Sequence, residues 1–426
     1  MSNTGPDKAA RRVEAGNLEL GGGLEALLSA AFEGTAPGHA IDVETPSKAV
    51  ALEIPAWARA SGHAADREWK EESEDGVRFV VRLKRGNSTR VLAPALAPRG
   101  EGLHLRSGGD LHTGDLLRAF NGAIPAVADP TYGLVPVGAV TEVGAPSFDW
   151  RLNDHDDMWA EEISDLTERA TELQWDATTD IDWEAAAGLP ADVERAVAQV
   201  MTFIAQNEYA ALYVPAKFLP QVNPAFADIL MWLASHINDE ARHIEVFTKR
   251  ALVGGDRGYA LASTQLSLHT LLEEDDFSSA ALLLNVLGEG TFLDLLNFID
   301  VNAPDQATAM SARLAHRDEQ RHVHFGISHV RRTIRLDPDA AAELQAAAEA
   351  RAAKLISLSG MSPILMESLT ILAAGSMNPK NLSVGAAKVA VLTKQMEVNR
   401  IRRLKAAGFN EKTAQHLSDL HTPNLM

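Results

Sequence analysis

Two nearly identical five-residue segments constrain this chain more than any other feature of its sequence. Asp-Glu-Ala-Arg-His occupies residues 239–243 and Asp-Glu-Gln-Arg-His occupies residues 318–322, so these two pentads differ only at the middle residue. Both lie in stretches with the apolar spacing of a helix. Because residues three apart on a helix leave the same face, the Glu and His of each pentad can bind one metal ion or bridge two.

Each pentad is preceded by a glutamate in the helix before it. Glu208 lies 32 residues before Glu240, and Glu289 lies 30 residues before Glu319, which indicates a duplicated helical hairpin. Both leading glutamates stand among apolar residues, where an unpaired carboxylate costs several kcal/mol and therefore needs cations as partners. The sequence predicts six ligands of a two-metal site: Glu208, Glu240, His243, Glu289, Glu319 and His322.

The remaining pentad residues are predicted to support the ligands. Asp239 and Asp318 are suited to accept the free ring proton of a ligating His, across the pseudo-twofold axis, and thereby to orient the ring. Arg242 and Arg321 can then neutralise these carboxylates. Two alternatives stand beside this reading. A lone Glu-x-x-His is usually part of a solvated helix face, and Asp with Arg can be a surface pair.

The motif set resembles that of ferritin-like proteins, in which two Glu and two Glu-x-x-His motifs from four helices hold two metals. The resemblance covers residues 190–335. The pentads are also similar to those of O2-activating di-iron oxygenases, including bacterial multicomponent monooxygenase hydroxylases, and to the Glu-x-Arg-His segments of aryl-amine N-oxygenases. These N-oxygenases carry an extra His four residues before the last Glu, where this chain has Ala315. His316 is one residue after that position. His236 lies four residues before Glu240, on the helix of the other pentad.

The resemblance implies a mainly α, ferritin-like four-helix bundle with two Fe ions and O2 as co-substrate. It further implies oxidation of a small organic molecule by hydroxylation, desaturation or N-oxygenation, together with an electron donor. An Mn/Fe or Mn/Mn pair fits the same oxygen and imidazole ligands. The alternatives are a ferroxidase or iron-storage protein and an interaction protein with a structural metal site.

The four bundle helices are predicted at about 192–219, 223–253, 278–300 and 305–336, with Asp192 as the first N-cap. Gly288 and Gly290 flank Glu289 inside the third helix, where each costs roughly 1 kcal/mol relative to Ala and so indicates a close approach or a helix distortion. Small residues near Glu319 are expected to leave room for substrate: Ala312, Ala315 and Gly326. Several further residues are candidate pocket or redox residues, with core packing favoured for the aromatic ones: Tyr209, Tyr213, Trp232, His236 and His316.

The region before the bundle is predicted to be a small α/β module. We expect a flexible arm at 1–16, the module at 17–86, a connector at 87–155, the bundle at 156–337 and C-terminal helices packing on it at 338–426. The stretch HAIDVETPSKAVALEIPAWARASGHAADREW, followed by VRFVVRLKRG, is similar to sulfur carriers of the TusA family. The first strand of the whole module is predicted earlier, at Leu18–Leu20. The Cys-Pro-x-Pro of that family falls on Gly21–Gly23, so the resemblance implies a docking or packing role without sulfur transfer.

Composition excludes several classes of protein. The chain has no cysteine, so any metal must be bound by oxygen and imidazole, and disulfides are excluded. A formal charge of −19 disfavours binding to nucleic acid. No long apolar run or signal-peptide pattern is evident, which predicts a cytoplasmic protein without a membrane partner. The basic run at Arg400–Lys405 is expected on a solvated helix end, and a homodimer is left open.

Overall fold

The computed structural model describes residues 10–73, 76–86, 103, 105–120, 122–139, 146–186, 188–254, 257–356 and 362–421. The chain divides into two compact units, Met1–Gly102 and Leu103–Met426. Residues 1–9 of the predicted arm, and residues 87–102 and 140–145 of the predicted connector, lie outside the described residues.

The first unit is a four-stranded sheet with two helices. In chain order its elements are β1 (Arg11–Glu14), α1 (Leu24–Glu33), β2 (Ala40–Thr45), α2 (Lys48–Ala60), β3 (Ala64–Ser73) and β4 (Gly76–Lys84). The strand order is β1-β2-β4-β3, with β1 parallel to β2 and β4 antiparallel to both of its neighbours. Alternate strand residues such as Ile41, Val43, Val81 and Leu83 form one core with the apolar side chains of the helices.

Two predictions for this unit are wrong in detail. Arg11–Glu14, which we placed in a flexible arm, form the edge strand β1. Leu18–Leu20 are not a strand, because the chain turns there before α1 begins. Gly23 occupies the N-cap of α1 with a φ of 108°, a left-handed conformation that suits glycine.

The second unit is helical. Before its bundle come α3 (Thr113–Phe120) and α4 (Ile163–Glu172), so part of the predicted connector is helical. The bundle consists of α5 (Ala191–Phe218), α6 (Ala227–Val253), α8 (Phe277–Asn302) and α9 (Gln306–Leu336), with α7 (Ala262–Leu272) in the crossover between α6 and α8. The C-terminal helices are α10 (Ala340–Ile356), α11 (Pro363–Ala374), α12 (Pro379–Ala406) and α13 (Glu411–His421).

Of the predicted starts of α5, α6 and α9 in the bundle, one agrees with the structure. Asp305 caps α9 by accepting a 2.8 Å hydrogen bond from the backbone N–H of Thr308. The predicted start of α6 at Asn223 is wrong, because the Asn223 backbone N–H donates to the Leu152 carbonyl and its side chain accepts from the Ala225 N–H. The predicted Asp192 cap is also wrong, since α5 begins at Ala191 after Pro190.

Helix α8 changes its winding in the middle. Residues Leu282–Glu289 form a π-helix between the α-helical turns Phe277–Ala281 and Gly290–Asn302. This confirms the distortion expected around Gly288 and Gly290. Among the described residues, α8 is the one helix that is long and apolar enough to span a membrane, yet 78% of its apolar window is buried, as in the core helix of a bundle.

The basic run near the end of α12 is solvated only in part, because Arg402 and Lys405 are exposed while Arg400 and Arg403 face the protein. Arg400 is 1% exposed, and the Arg403 guanidinium forms a 3.2 Å ion pair with Asp294 of α8. A Cβ atom at Gly290 would lie 2.6 Å from Arg403 Nε, so glycine there allows α12 to approach α8 closely. The C-terminal helices therefore complete the core around α8.

Candidate metal centre

The four bundle helices bring all six predicted ligands into one buried cluster. Glu208 comes from α5, Glu289 from α8, and the two pentads from α6 and α9. Glu208 and Glu289 are 2% and 4% exposed, and the four pentad ligands are fully buried. Two sets of donor atoms each lie within 4.8 Å of one another. One consists of Glu208, Glu240, His243 and Glu319, and the other of His236, Glu240, Glu289 and His322.

Two carboxylates lie between the two pentad imidazoles. Glu240 has Oε1 at 3.0 Å from His322 Nδ1 and Oε2 at 3.5 Å from His243 Nδ1. Glu319 has Oε2 at 3.4 Å from His322 Nδ1 and Oε1 at 3.5 Å from His243 Nδ1. Each carboxylate thus presents one oxygen to each imidazole, which is the arrangement needed to bridge two metal ions.

The donor atoms of this cluster are not satisfied by the protein. Within the described part of the chain, neither oxygen of Glu240 or Glu319 has a hydrogen-bond partner, and neither does Nδ1 of His243 or His322. Buried polar atoms are nearly always paired, and buried carboxylates without cations are costly. The orphaned oxygens and imidazole nitrogens therefore fit a pair of divalent metal ions.

The aspartates of the pentads contact the opposite imidazole. Nε2 of His243 lies 3.3 Å from Asp318 Oδ2, and Nε2 of His322 lies 3.3 Å from Asp239 Oδ2. Each Asp therefore contacts the histidine of the other pentad, across the pseudo-twofold axis. The contact engages Nε2 and leaves Nδ1 facing the glutamates, which sets the tautomer needed for metal ligation.

Both arginines bind both aspartates. Arg321 Nη2 donates to Asp239 Oδ2 at 2.7 Å and to Asp318 Oδ1 at 2.8 Å. Arg242 Nη2 donates to Asp318 Oδ2 at 3.0 Å and also to Asp239. All four residues are at most 9% exposed, so the surface-pair alternative does not describe them. Hydrogen bonds from His243 and the charge of Arg321 hold the pKa of the Asp318 carboxyl below its usual value despite its burial.

One side chain that sequence reasoning missed also binds this network. Trp175 Nε1 donates a 2.6 Å hydrogen bond to Asp318 Oδ2, and the Arg242 guanidinium lies 4.9 Å from the centre of the Trp175 ring. Trp175 follows α4 and is 143 positions from Asp318. No local spacing links the two residues, so the sequence contains no signal for this contact.

His236 brings a third imidazole to the cluster. Its Nε2 lies 3.1 Å from Glu289 Oε1 and 3.5 Å from Glu240 Oε1, and its ring stacks on His322 with centroids 3.8 Å apart. The sequence suggested His236 only as a pocket or redox residue. Its position four residues before Glu240 places it on the ligand face of α6, and that spacing was the available signal.

Both oxygens of Glu289 contact side chains of the protein. Besides its contact with His236, its Oε2 accepts a 2.7 Å hydrogen bond from the Asn285 amide. Asn285 lies within the π-helical segment, so the altered winding of α8 helps to determine where this carboxylate is held.

Burial and mutual charge perturb the protonation of the ligands. Burial and the nearby Glu240 raise the pKa of Glu208 well above its usual value. Burial acts to lower the pKa of His243 and His322, but contacts with Glu240 and the aspartates outweigh it and raise both pKa values. The raised pKa values mean that protons on Glu208 and on the two imidazoles offset the negative charge of the buried carboxylates. Bound metal ions can replace these protons.

A small cavity adjoins the cluster, with about 30 Å³ of solvent-accessible space inside a cleft of about 370 Å³ that includes open solvent. Three of the predicted ligands line it: Glu208, Glu289 and Glu319. Its apolar wall comes from α5, the crossover helix α7, and α8, and Gly288 also borders it. The cavity therefore opens onto three carboxylates of the cluster.

Most of the other predicted pocket and redox residues lie away from the cluster. Ala312 and Ala315 are buried in the apolar core, and a Cβ at Gly326 would lie 2.4 Å from Asn285 Cβ, so these small residues serve helix packing and not substrate room. Tyr209 and Tyr213 are 52% and 56% exposed, so the expected core packing is wrong for both. Trp232 is buried, and its ring lies 6.2 Å from that of His322. His316 is partly buried and belongs to neither donor set.

Comparisons with known proteins give similarity in solved structures only. No family model and no curated protein matches the chain. An R2-like ligand-binding oxidase variant with an Fe/Fe cofactor matches with a TM-score of 0.44 and 16% identity, over 63% of this chain and 99% of that one. Another variant, with an Mn/Fe cofactor, matches with a TM-score of 0.42 and 17% identity, over 64% and 99% of the respective chains. Similarity at this level assigns no function, so the metal centre stands on its own residues.

Proposed function

We propose that this chain is a non-haem di-iron oxidase or oxygenase that uses O2 to oxidise a small organic substrate. The observation that carries the proposal is a buried set of unsatisfied carboxylate and imidazole donors that also forms the wall of a cavity. A structural metal site has no need of such a cavity. An iron-storage site has no need of an apolar cavity wall.

The chain's own residues divide the task of holding two metals. Glu208 and His243 would bind one ion, and Glu289 and His322 would bind the other, with Glu240 and Glu319 between them. Hard oxygen donors with imidazole suit iron, and an Mn/Fe or Mn/Mn pair fits the same ligands. Two bound irons would supply the electrons and the Lewis acidity for the reduction of O2.

The surrounding residues orient the ligands and exclude water. Asp239 and Asp318 fix the imidazole planes, while Arg242 and Arg321 keep the aspartates ionised. Their burial keeps water from this side of the cluster, so the cavity beside Glu208, Glu289 and Glu319 is the side where a substrate can reach it. Because each catalytic cycle consumes electrons, an external electron donor belongs to the proposal for a monooxygenase.

The N-terminal unit is proposed to act as a docking or packing module. Its first helix begins after three glycines where the TusA-like resemblance would require a thiol, and the chain has no cysteine at all. Sulfur transfer through this unit is therefore excluded, and the resemblance itself stays a prediction.

The test of the main proposal is a titration of full-length protein with Fe(II) under anaerobic conditions. We expect saturation near two irons per chain, followed by rapid O2 consumption and oxidation of both irons. The matched control is His324→Ala, which removes an exposed histidine two residues from His322. Continued aerobic uptake of tens of irons per chain would favour iron storage, and bound metal that does not react with O2 would favour a structural site.

A further inference from the structure

A buried arginine of the C-terminal region lines the cavity beside the metal ligands. Arg351 belongs to α10 and is 3% exposed, yet it borders the same cavity as Glu208, Glu289 and Glu319. Its Nε donates to Thr270 Oγ1 at 3.1 Å, and its Nη2 donates to Ser267 Oγ at 3.2 Å. Both acceptors are neutral hydroxyls of the crossover helix α7.

No carboxylate in the described part of the chain balances the charge of Arg351. Among the described residues, no carboxylate forms an ion pair with Arg351, and its Nη1 has no hydrogen-bond partner. Burial lowers the pKa of Arg351 to about 10, so the guanidinium remains charged near neutral pH. A buried charge without a partner costs several kcal/mol, which makes this arrangement unusual.

Another buried arginine of this chain shows the usual solution. Arg250 is fully buried, and it forms ion pairs with both Glu194, at 2.6 Å, and Asp305, at 2.9 Å. Arg351 carries the same charge at similar burial, but no described glutamate or aspartate forms an ion pair with it. Arg351 thus differs from Arg250 in having no carboxylate partner among the described residues.

A second polar atom next to Arg351 is also unsatisfied. Nε2 of His421, on α13, has no hydrogen-bond partner within the described residues. Burial and the neighbouring charge of Arg351 lower the pKa of His421 to about 3, so this imidazole is neutral. Because Nδ1 of His421 donates to the Leu417 carbonyl, Nε2 of the neutral ring carries no proton and can only accept a hydrogen bond, so His421 does not supply a counter-charge for Arg351.

We propose that Arg351 binds the carboxylate of the substrate and that the substrate is a short, apolar carboxylic acid. The inference deepens the proposed function and rests on it. Leu268 and Leu271 of the crossover helix, Ala210 and Ala211 of α5, and Leu284 and Phe292 of α8 supply the apolar wall. A guanidinium at this wall binds a carboxylate strongly, while the cavity also exposes the carbon chain to the ligand carboxylates of the metal centre.

The test measures binding of acetate, butyrate, hexanoate and octanoate, each beside its neutral amide, to Fe(II)-loaded protein under anaerobic conditions by calorimetry. We expect at least one acid of this series to bind at least about tenfold more tightly than its amide. Arg351→Met should remove this preference, and Arg351→Lys should retain part of it. The control is Lys354→Met, which removes an exposed positive charge from the same helix.

Two results would overturn the proposal. One is equal binding of acid and amide by the wild-type protein, or no binding of any acid in the series. The other is an unchanged preference in Arg351→Met, which would mean that the acid binds the metal directly. If Arg351→Met does not fold, Arg351→Lys and the wild-type comparison still decide the question.

The same titrations on metal-free protein separate this inference from the proposed function. If the chain fails to bind iron or to react with O2 but shows Arg351-dependent acid binding, the anion site stands and the oxidase proposal fails. If iron and O2 behave as proposed but no acid preference is seen, only the substrate class is wrong.

Discussion

The two halves of the metal centre share one design but differ in their surroundings. In the Glu208 half, which also contains His243, Glu208 Oε1 has no hydrogen-bond partner within the described chain. In the Glu289 half, Glu289 is held by Asn285 and His236, and His322 stacks on His236. The two halves therefore share the predicted ligands and the Asp-Arg frame, while the neighbouring residues differ between the two proposed metal positions.

The largest effect should come from removing either pentad imidazole. His243→Ala and His322→Ala each delete a ligand whose Nδ1 lies within 3.5 Å of both Glu240 and Glu319, so we expect bound metal to fall from two per chain to one or fewer. Metal analysis after gel filtration measures this, with His324→Ala as the control. Full two-metal occupancy in both variants would show that the ligand assignment is wrong.

The next largest effect should come from the aspartates that orient the imidazoles. Asp239→Ala and Asp318→Ala should each weaken metal binding by roughly 10- to 100-fold. Asp318→Ala should be the more severe, because Trp175 also donates to Asp318 and would lose its partner. Competition with a metal chelator gives the affinities, and Asp300→Ala, which breaks an ion pair with the half-exposed Arg313, is the control. Equal affinities across all three variants would contradict the proposed orienting role.

Replacing His236 should affect one half of the centre more than the other. Because Nε2 of His236 contacts Glu289 and the Glu240 oxygen that faces His322, His236→Ala should lower the affinity for one metal by about tenfold and leave the other nearly unchanged. Mössbauer spectra of the Fe-loaded protein should show a change confined to one of the two iron signals. An equal change in both signals would contradict the inequivalence of the halves.

The smallest effect on the centre should come from a methyl group placed behind Asn285. In Gly326→Ala the new Cβ would lie 2.4 Å from Asn285 Cβ, so Asn285 must shift and its hydrogen bond to Glu289 should weaken. We expect a loss of about 1–3 kcal/mol in the free energy of unfolding, with two metals still bound. Thermal and denaturant unfolding measure the loss.

The control for this change is Gly288→Ala, whose nearest neighbour, the Leu283 carbonyl oxygen, would be 3.4 Å away. This variant should unfold close to wild type. If both glycine variants are equally destabilised, the cause is the helix propensity of the segment and not the contact with Asn285.

The sequence by itself determined the parts of the centre that depend on spacing within one helix. Glu and His three apart must share a helix face, and the two copies of the pentad predicted which helices face each other. The crossed contacts of Asp239 and Asp318 also followed, because the duplication implies a pseudo-twofold axis. The glycines around Glu289 predicted the distortion of α8, since they cost helix stability without an evident local gain.

Only the tertiary structure decided the contacts between segments distant in the sequence. Trp175, which follows α4, donates to Asp318, and Arg351 of α10 lines the adjoining cavity. No periodic pattern in the sequence relates either residue to the predicted ligands. Tyr209 and Ala315 show the converse, because each lies close to a ligand in sequence but turns toward solvent or toward the apolar core. Helical periodicity determines which residues share a face, whereas the packing of neighbouring helices decides what that face contacts.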